Sequence, residues 1–156
     1  MTLDTSRDEL TVHREKALLV SVALPQRPWL TDDPLEELRG LATTAGAIVV
    51  GELCQRRQEI HTHSYIGKGK LQELIGRALA TDADVVIFDN DLSPAQVRNL
   101  ERAIGIKVLD RSELILDIFA TRARTVESRL QVELAQLEYA QPRLKNMWVH
   151  LSRLGG

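Results

Sequence analysis

The chain has 156 residues, 44% of them hydrophobic and 27% charged, ordinary values for a globular domain that buries roughly 70% of its unfolded surface. A net charge of −2 excludes binding of nucleic acid by overall charge, so any anion site must be local. A single cysteine, Cys54, excludes an internal disulfide framework, and the polar opening MTLDTSRDEL holds no signal or membrane-spanning segment; the expected location is the cytoplasm, with no membrane partner.

Residues 17–24, ALLVSVAL, form the first predicted strand, stopped by Pro25 and Pro28. A helix follows over 34–45, with Leu35, Leu38 and Leu41 at helical spacing and Pro34 in the first turn, where proline is tolerated. AIVVGEL, 47–53, is the second strand. A helix from about 69 to 80 places Leu71, Leu74, Ile75 and Leu79 on one face. VVIFD, 85–89, is a continuous apolar strand suited to a sheet covered on both sides. In DLSPAQVRNLERAIG, Ser93 is an N-cap, Pro94 a first-turn proline and Gln96 the capping-box partner, and Gly105 closes the helix. IKVL, 106–109, is the fourth strand. This alternation predicts an α/β fold: a small four-stranded parallel sheet with flanking helices and right-handed crossovers.

The remainder changes character. Asp110 and Glu113 fit a second capping box, and 111–156 reads as a long, coiled-coil-like helical segment. Leu130, Leu134, Leu137, Gln141, Leu144, Trp148 and Leu151 step by four and three, the heptad seam of a coiled coil. Pro142 is expected to kink or interrupt that helix near Glu138. The expected division is an α/β domain at 1–110 and a helical segment at 111–156, the first arm of a hairpin cut at its tip. A stripe with no second helix to cover it predicts either a fold-back onto the α/β domain or a homodimer, and we favour a homodimer through residues 126–141.

The stretch HTHSYIGKGKLQE, 61–73, reads as a loop leading into a helix. A phosphate loop of the form GxxxxGK(S/T) needs a hydroxyl that Leu71 does not supply, and a dinucleotide fingerprint fails at Gln72. What remains is a helix N-terminus carrying Gly67, Lys68, Gly69 and Lys70, either a generic anion site or a solvated helix start. Charge is segregated around it: 54–70 holds Arg56, Arg57, Lys68 and Lys70 against Glu59 alone, whereas 81–91 holds Asp82, Asp84, Asp89 and Asp91 with no lysine or arginine. Tyr65 and Ile66 either pack beneath the loop or offer a ring to stack on a base. Asp89, Asn90 and Asp91, ending a parallel strand, fit a magnesium or phospho-acceptor site as well as ordinary turn chemistry. His61 and His63 have the spacing to share a strand face near Cys54, without a fourth ligand for zinc. No nucleophile and base are paired, so no catalytic residue and no metal ligand is expected; the residues read as a binding module.

YIGKGKLQEL, FDNDLSPAQVRNLE and the run VLDRSELILDIFATRARTVESRLQVELAQLEYAQPRL resemble the N-terminal region of the HflX-type ribosome-associated GTPases, and WVHLSRLGG resembles the approach to that family's glycine-rich hairpin tip. The resemblance covers most of 47–156 and implies a partner, the large ribosomal subunit and its RNA, with a role in splitting or rescuing ribosomes. It places Gly67, Lys68, Gly69 and Lys70 on the family's glycine–lysine loop. Arg111, Arg122 and Arg124 fall on its basic signature positions, and Arg153, Gly155 and Gly156 on the approach to the tip. For Arg122 and Arg124 the alternative is ion pairing with neighbours such as Asp117 and Glu127. GTP and magnesium are implied for the full-length family, whose GTP-binding domain has no counterpart in these 156 residues. Two other readings stay open: a stand-alone ATP-binding domain that uses the glycine–lysine loop, and a receiver-like signalling module built on Asp89.

Overall fold

A computed structural model describes the backbone of residues 11–155 and the side chains of residues 11–142. The strands are β1 (Lys16–Ala23), β2 (Ile48–Arg56), β3 (Val85–Phe88) and β4 (Lys107–Leu109). The helices are α1 (Glu36–Thr44), α2 (Lys68–Thr81), α3 (Pro94–Ile104), α4 (Arg111–Arg122) and α5 (Val126–Gly155). The four strands form one sheet of order β2-β1-β3-β4, every pairing parallel. This is the α/β sheet with flanking helices that the alternating apolar runs predict.

Strand periodicity sorts the core into two layers. Leu18, Val20 and Val22 of β1 and Val86 and Phe88 of β3 point to the face covered by Leu74 and Ala78 of α2 and Val97 and Leu100 of α3. Ala17, Leu19, Val85 and Ile87 point the other way, against Leu35, Leu38 and Ala42 at α1 and Leu114 and Ile118 of α4. The chain leaves β1 toward β2 through α1 and returns across β1 through α2, so right-handed crossovers put these helices on opposite faces. Leu114 and Ile118, in the segment assigned by sequence to the helical arm, thus lie in the same core as Leu35 and Leu38.

Local chemistry sets the ends of the elements. Ser93 accepts from the Gln96 N–H at 3.1 Å while Gln96 Oε1 accepts from the Ser93 N–H at 2.9 Å, the predicted reciprocal box. Gly105 closes α3 at φ +86°, a conformation that costs glycine little. Three expectations are corrected here. Pro34 lies outside α1, one residue before its cap Leu35, because the chain is still turning at 34–35. Leu79 is 79% exposed, and Ala78 takes its place on the buried face of α2. His61 and His63 lie in a turn closed by a bridge between His61 and Tyr65, not on a strand.

The segment after β4 is two helices rather than one. Asp110 caps α4 by accepting from the Glu113 N–H at 3.0 Å, and the helix stops at Arg122. Thr125 restarts the chain: its Oγ1 accepts from the Ser128 N–H at 3.0 Å, and Ser128 Oγ accepts from the Thr125 N–H at 3.1 Å. The two helices form a hairpin, α5 packing along α4 and touching α3. The Tyr139 hydroxyl donates to Oδ2 of the fully buried Asp110, which also accepts from the Leu92 N–H at 3.1 Å. α5 runs through Pro142 without interruption, so of the predicted kink or interruption the second does not occur. The side chains of Leu144, Trp148 and Leu151 lie outside the described residues.

Asp117 of α4 is buried beside the start of the described chain, its Oδ2 3.5 Å from the Val12 N–H. Burial pushes its carboxyl above the ordinary 3.8, against the opposing pull of that N–H, Lys107 and His13. An unfolded Asp117 loses its proton near 3.8 while the folded one keeps it to higher pH, so stability is lost as pH rises from 3.8 through the folded value. Asp117→Asn retains an acceptor for Val12 and should flatten this part of the profile. Urea unfolding from about pH 4 upward measures it. Parallel profiles for variant and parent would show that Asp117 binds its proton equally in both states.

Candidate nucleic-acid interface

All four strands are parallel, so the segments that follow them gather at one edge of the sheet, the carboxyl edge. Arg56 ends β2 there, Arg57 follows, and Gly67 caps α2. The Gly67 N–H donates to Gln55 Oε1 at 3.2 Å, which draws the loop back onto the end of β2. A Cβ built at Gly67 would lie 2.3 Å from Arg57 Nη1, so the guanidinium rests against the loop and would have to shift aside for any larger residue there. Arg57 Nε donates to the Glu59 carbonyl at 2.9 Å and is held in that position.

Tyr65 and Ile66 are buried beneath the loop. Tyr65 adopts φ +65° and packs edge-on to Phe88 at 6.3 Å between ring centroids, which removes it as a surface ring for a base. Burial raises its hydroxyl pKa. Lys68 and Gly69 are exposed, whereas Lys70 pairs with Glu73 at 3.1 Å, an interaction that lowers the Glu73 pKa. Lys68 therefore has no acidic partner among the described residues at the helix N-terminus, and Lys70 is largely compensated.

Arg111 reaches the same edge from the start of α4, but it is engaged. Its Nη1 bonds Asp89 Oδ1 at 2.9 Å and its Nη2 bonds Glu37. Burial raises the Asp89 carboxyl pKa in spite of Arg111. Asp89 Oδ2 also lies 3.5 Å from Ser21 Oγ, and Asn90 bonds both the N–H and the carbonyl of Val22, each at 3.0 Å. Asp89 and Asn90 are thus spent on holding the ends of β1, β3 and α4 together. Among the described residues no three of His, Cys, Asp and Glu are placed to hold a metal. Burial raises the Cys54 thiol pKa.

Arg122 and Arg124 lie elsewhere. α4 starts at the carboxyl edge and is 12 residues long, so Arg122 is about 18 Å away, toward the opposite edge. Both arginines are exposed, and neither pairs with Asp117 or Glu127 among the described residues. The predicted basic positions thus divide into a carboxyl-edge group, Arg56, Arg57 and Gly67 to Lys70 with Arg111 behind it, and a hairpin-turn group. Positions Arg153, Gly155 and Gly156 fall outside the described side chains.

Sequence reasoning missed Arg27 and Trp29, in the proline-rich link between β1 and α1. Arg27 Nη2 lies 3.4 Å from the Asp89 carbonyl, and Trp29 Nε1 donates to Ser21 Oγ at 3.0 Å. Arg27 between Pro25 and Pro28, with Trp29 directly after, was the available signal. No helix among the described residues is long and apolar enough to cross a membrane.

This fold, a parallel sheet followed by a helical hairpin, is that of the N-terminal part of a GTPase family. The family model for the GTP-binding GTPase N-terminal region matches residues 32–120, and that for the GTP-binding GTPase middle region matches 122–156. The chain belongs to the HflX-type GTPases and corresponds to their N-terminal part. It is 48% identical over 149 residues to the GTPase HflX of Caldanaerobacter subterraneus subsp. tengcongensis, covering 96% of this chain and 34% of that protein. With the GTPase HflX of Escherichia coli K12 it shares 45% identity over 142 residues, 91% of this chain and 33% of that one. A solved GTP-binding protein from Sulfolobus solfataricus, in complex with GDP, superposes with a TM-score of 0.64 at 26% identity, over 86% of this chain and 40% of that one. The chain thus spans about a third of the length of these HflX relatives.

Proposed function

We propose that this chain is the ribosome-binding region of an HflX-type GTPase, contacting RNA of the large subunit in the cytoplasm and helping to split or rescue ribosomes. The observation that carries this reading is the concentration of cations, exposed Arg56 and Lys68 with half-buried Arg57 between them, at one edge of an otherwise acidic chain. Arg56, Arg57 and Lys68 surround the N-terminus of the 14-residue helix α2, and the helix adds its own partial positive charge. Arginine forks and a helix N-terminus both suit phosphate oxygens. GTP and magnesium belong, on this reading, to the part of the family that lies outside these 156 residues.

The test is binding of purified large subunits, run beside titrations with ATP and GTP. Saturable binding to large subunits with no nucleotide dependence supports the reading. Saturable ATP binding without subunit binding favours a stand-alone nucleotide domain instead. The same preparation should hydrolyse no GTP, even with ribosomes present, because these residues contain neither a phosphate loop nor a guanine-specificity motif. Turnover above a protein-free control would contradict that.

A further inference from the structure

After β1 the chain makes a tight turn at Pro25 and Gln26, where Leu24 and Arg27 exchange backbone hydrogen bonds of 3.2 and 3.0 Å. Pro28 follows, and the turn carries Trp29 back over the end of the sheet, where its bond to Ser21 fixes the ring. The register that pairs Ala23 with Arg56 brings the last residue of β2 alongside, and the Arg56 guanidinium lies over the indole, 5.1 Å from its centroid. Trp29 belongs to neither core cluster and is only half-buried, and the adjoining Leu30 is 92% exposed. A large ring is thus pinned at the surface by its edge, next to an apolar side chain in water and beneath Arg56, with exposed Arg27 two residues before it in sequence.

We propose that Trp29 is a stacking platform for an unpaired base of the bound RNA, and that Arg56, stacked on the same indole, holds the phosphate beside that base. The inference rests on the RNA-contact reading above and assigns it a site that the glycine–lysine loop does not include. Every base has a π-face that an aromatic ring can meet, but only an unpaired base can present it, so this site selects single-stranded RNA. Leu30 closes against the edge of the stacked base and is withdrawn from water in the process.

Stacking carries no ionic contact, and that separates it from the lysines. Trp29→Ala, Trp29→Leu and Trp29→Phe are compared with the parent on purified large subunits and on a short unstructured RNA, over a range of salt. Trp29→Ala and Trp29→Leu should bind both about tenfold more weakly, with log–log salt lines parallel to the parent's. Trp29→Phe should stay within about threefold. Leucine covers the sheet end without offering a π-face, so a Trp29→Leu protein that melts like the parent but binds like Trp29→Phe overturns the proposal. So does a loss on subunits with none on the free RNA, which would make the contact a ribosomal protein. If the three variants bind as the parent does while Lys68→Ala weakens binding, the platform falls and the RNA reading stands. A parent that binds neither probe overturns both.

Discussion

Replacing Arg56, Arg57 and Lys68 together with alanine is expected to reduce the slope of log affinity for large subunits against log salt by about 2.1–2.7, at roughly 0.7–0.9 per lost phosphate contact. Between about 50 and 200 mM salt the parent should then lose roughly 20–40-fold more affinity than the variant. The three side chains lie on the carboxyl edge, away from both core layers, so folding should be little affected. Lys68→Ala plus Lys70→Ala should lose mostly the Lys68 contact, since Glu73 already neutralises Lys70. A triple variant that folds and keeps the parent's slope would show that the loop is only the start of a helix.

The second large effect concerns the outer face of α5. Val126, Leu130, Leu134 and Leu137 are 74%, 59%, 57% and 61% exposed, while Val132, Ala135 and Tyr139 turn toward the rest of the fold. Among the described residues the leucines of the heptad stripe, Leu130, Leu134 and Leu137, are therefore not used in packing the hairpin. Leaving it in water is unfavourable at roughly 25 cal/mol per Å² of apolar area. We expect concentration-dependent dimerisation through 126–141, and conversion to monomer by Leu134→Glu, which places a charge in the seam. Sedimentation equilibrium measures this. A parent that stays monomeric at high micromolar concentration, unchanged by Leu134→Glu, would rule the dimer out.

What was legible in the sequence was what local physics decides. Apolar runs located all four strands, and Ser93, Pro94, Gln96 and Gly105 marked both ends of α3, because capping acts over three or four residues. The break at Ala123–Thr125 carried a local signal too, the Thr125 and Ser128 pair, which a search restricted to Glu or Gln at the third position passes over. The site was less legible because long-range pairing decides which charges are free. Arg111 is engaged by Glu37 and Asp89, 74 and 22 residues away in sequence, and no spacing rule connects them. Tyr65 was ambiguous for a related reason: a ring beside glycines can point either way until the sheet supplies Phe88 beneath it.

The amide of Asn90 has a consequence for the kind of ligand this sheet can take. In a sheet of order 2-1-3-4, the chain winds away in opposite directions from its first and third strands, and the gap between their ends is where such folds ordinarily admit a small molecule. Here Asn90 spans that gap, its side chain imitating one more residue of strand against Val22, and the Arg111–Asp89 pair closes the space above. Hydrogen bonds tie the two sides of that gap together. Side chains of the protein itself thus take up the hydrogen-bonding groups at this position, and Arg56 and Trp29 lie along the same edge of the sheet.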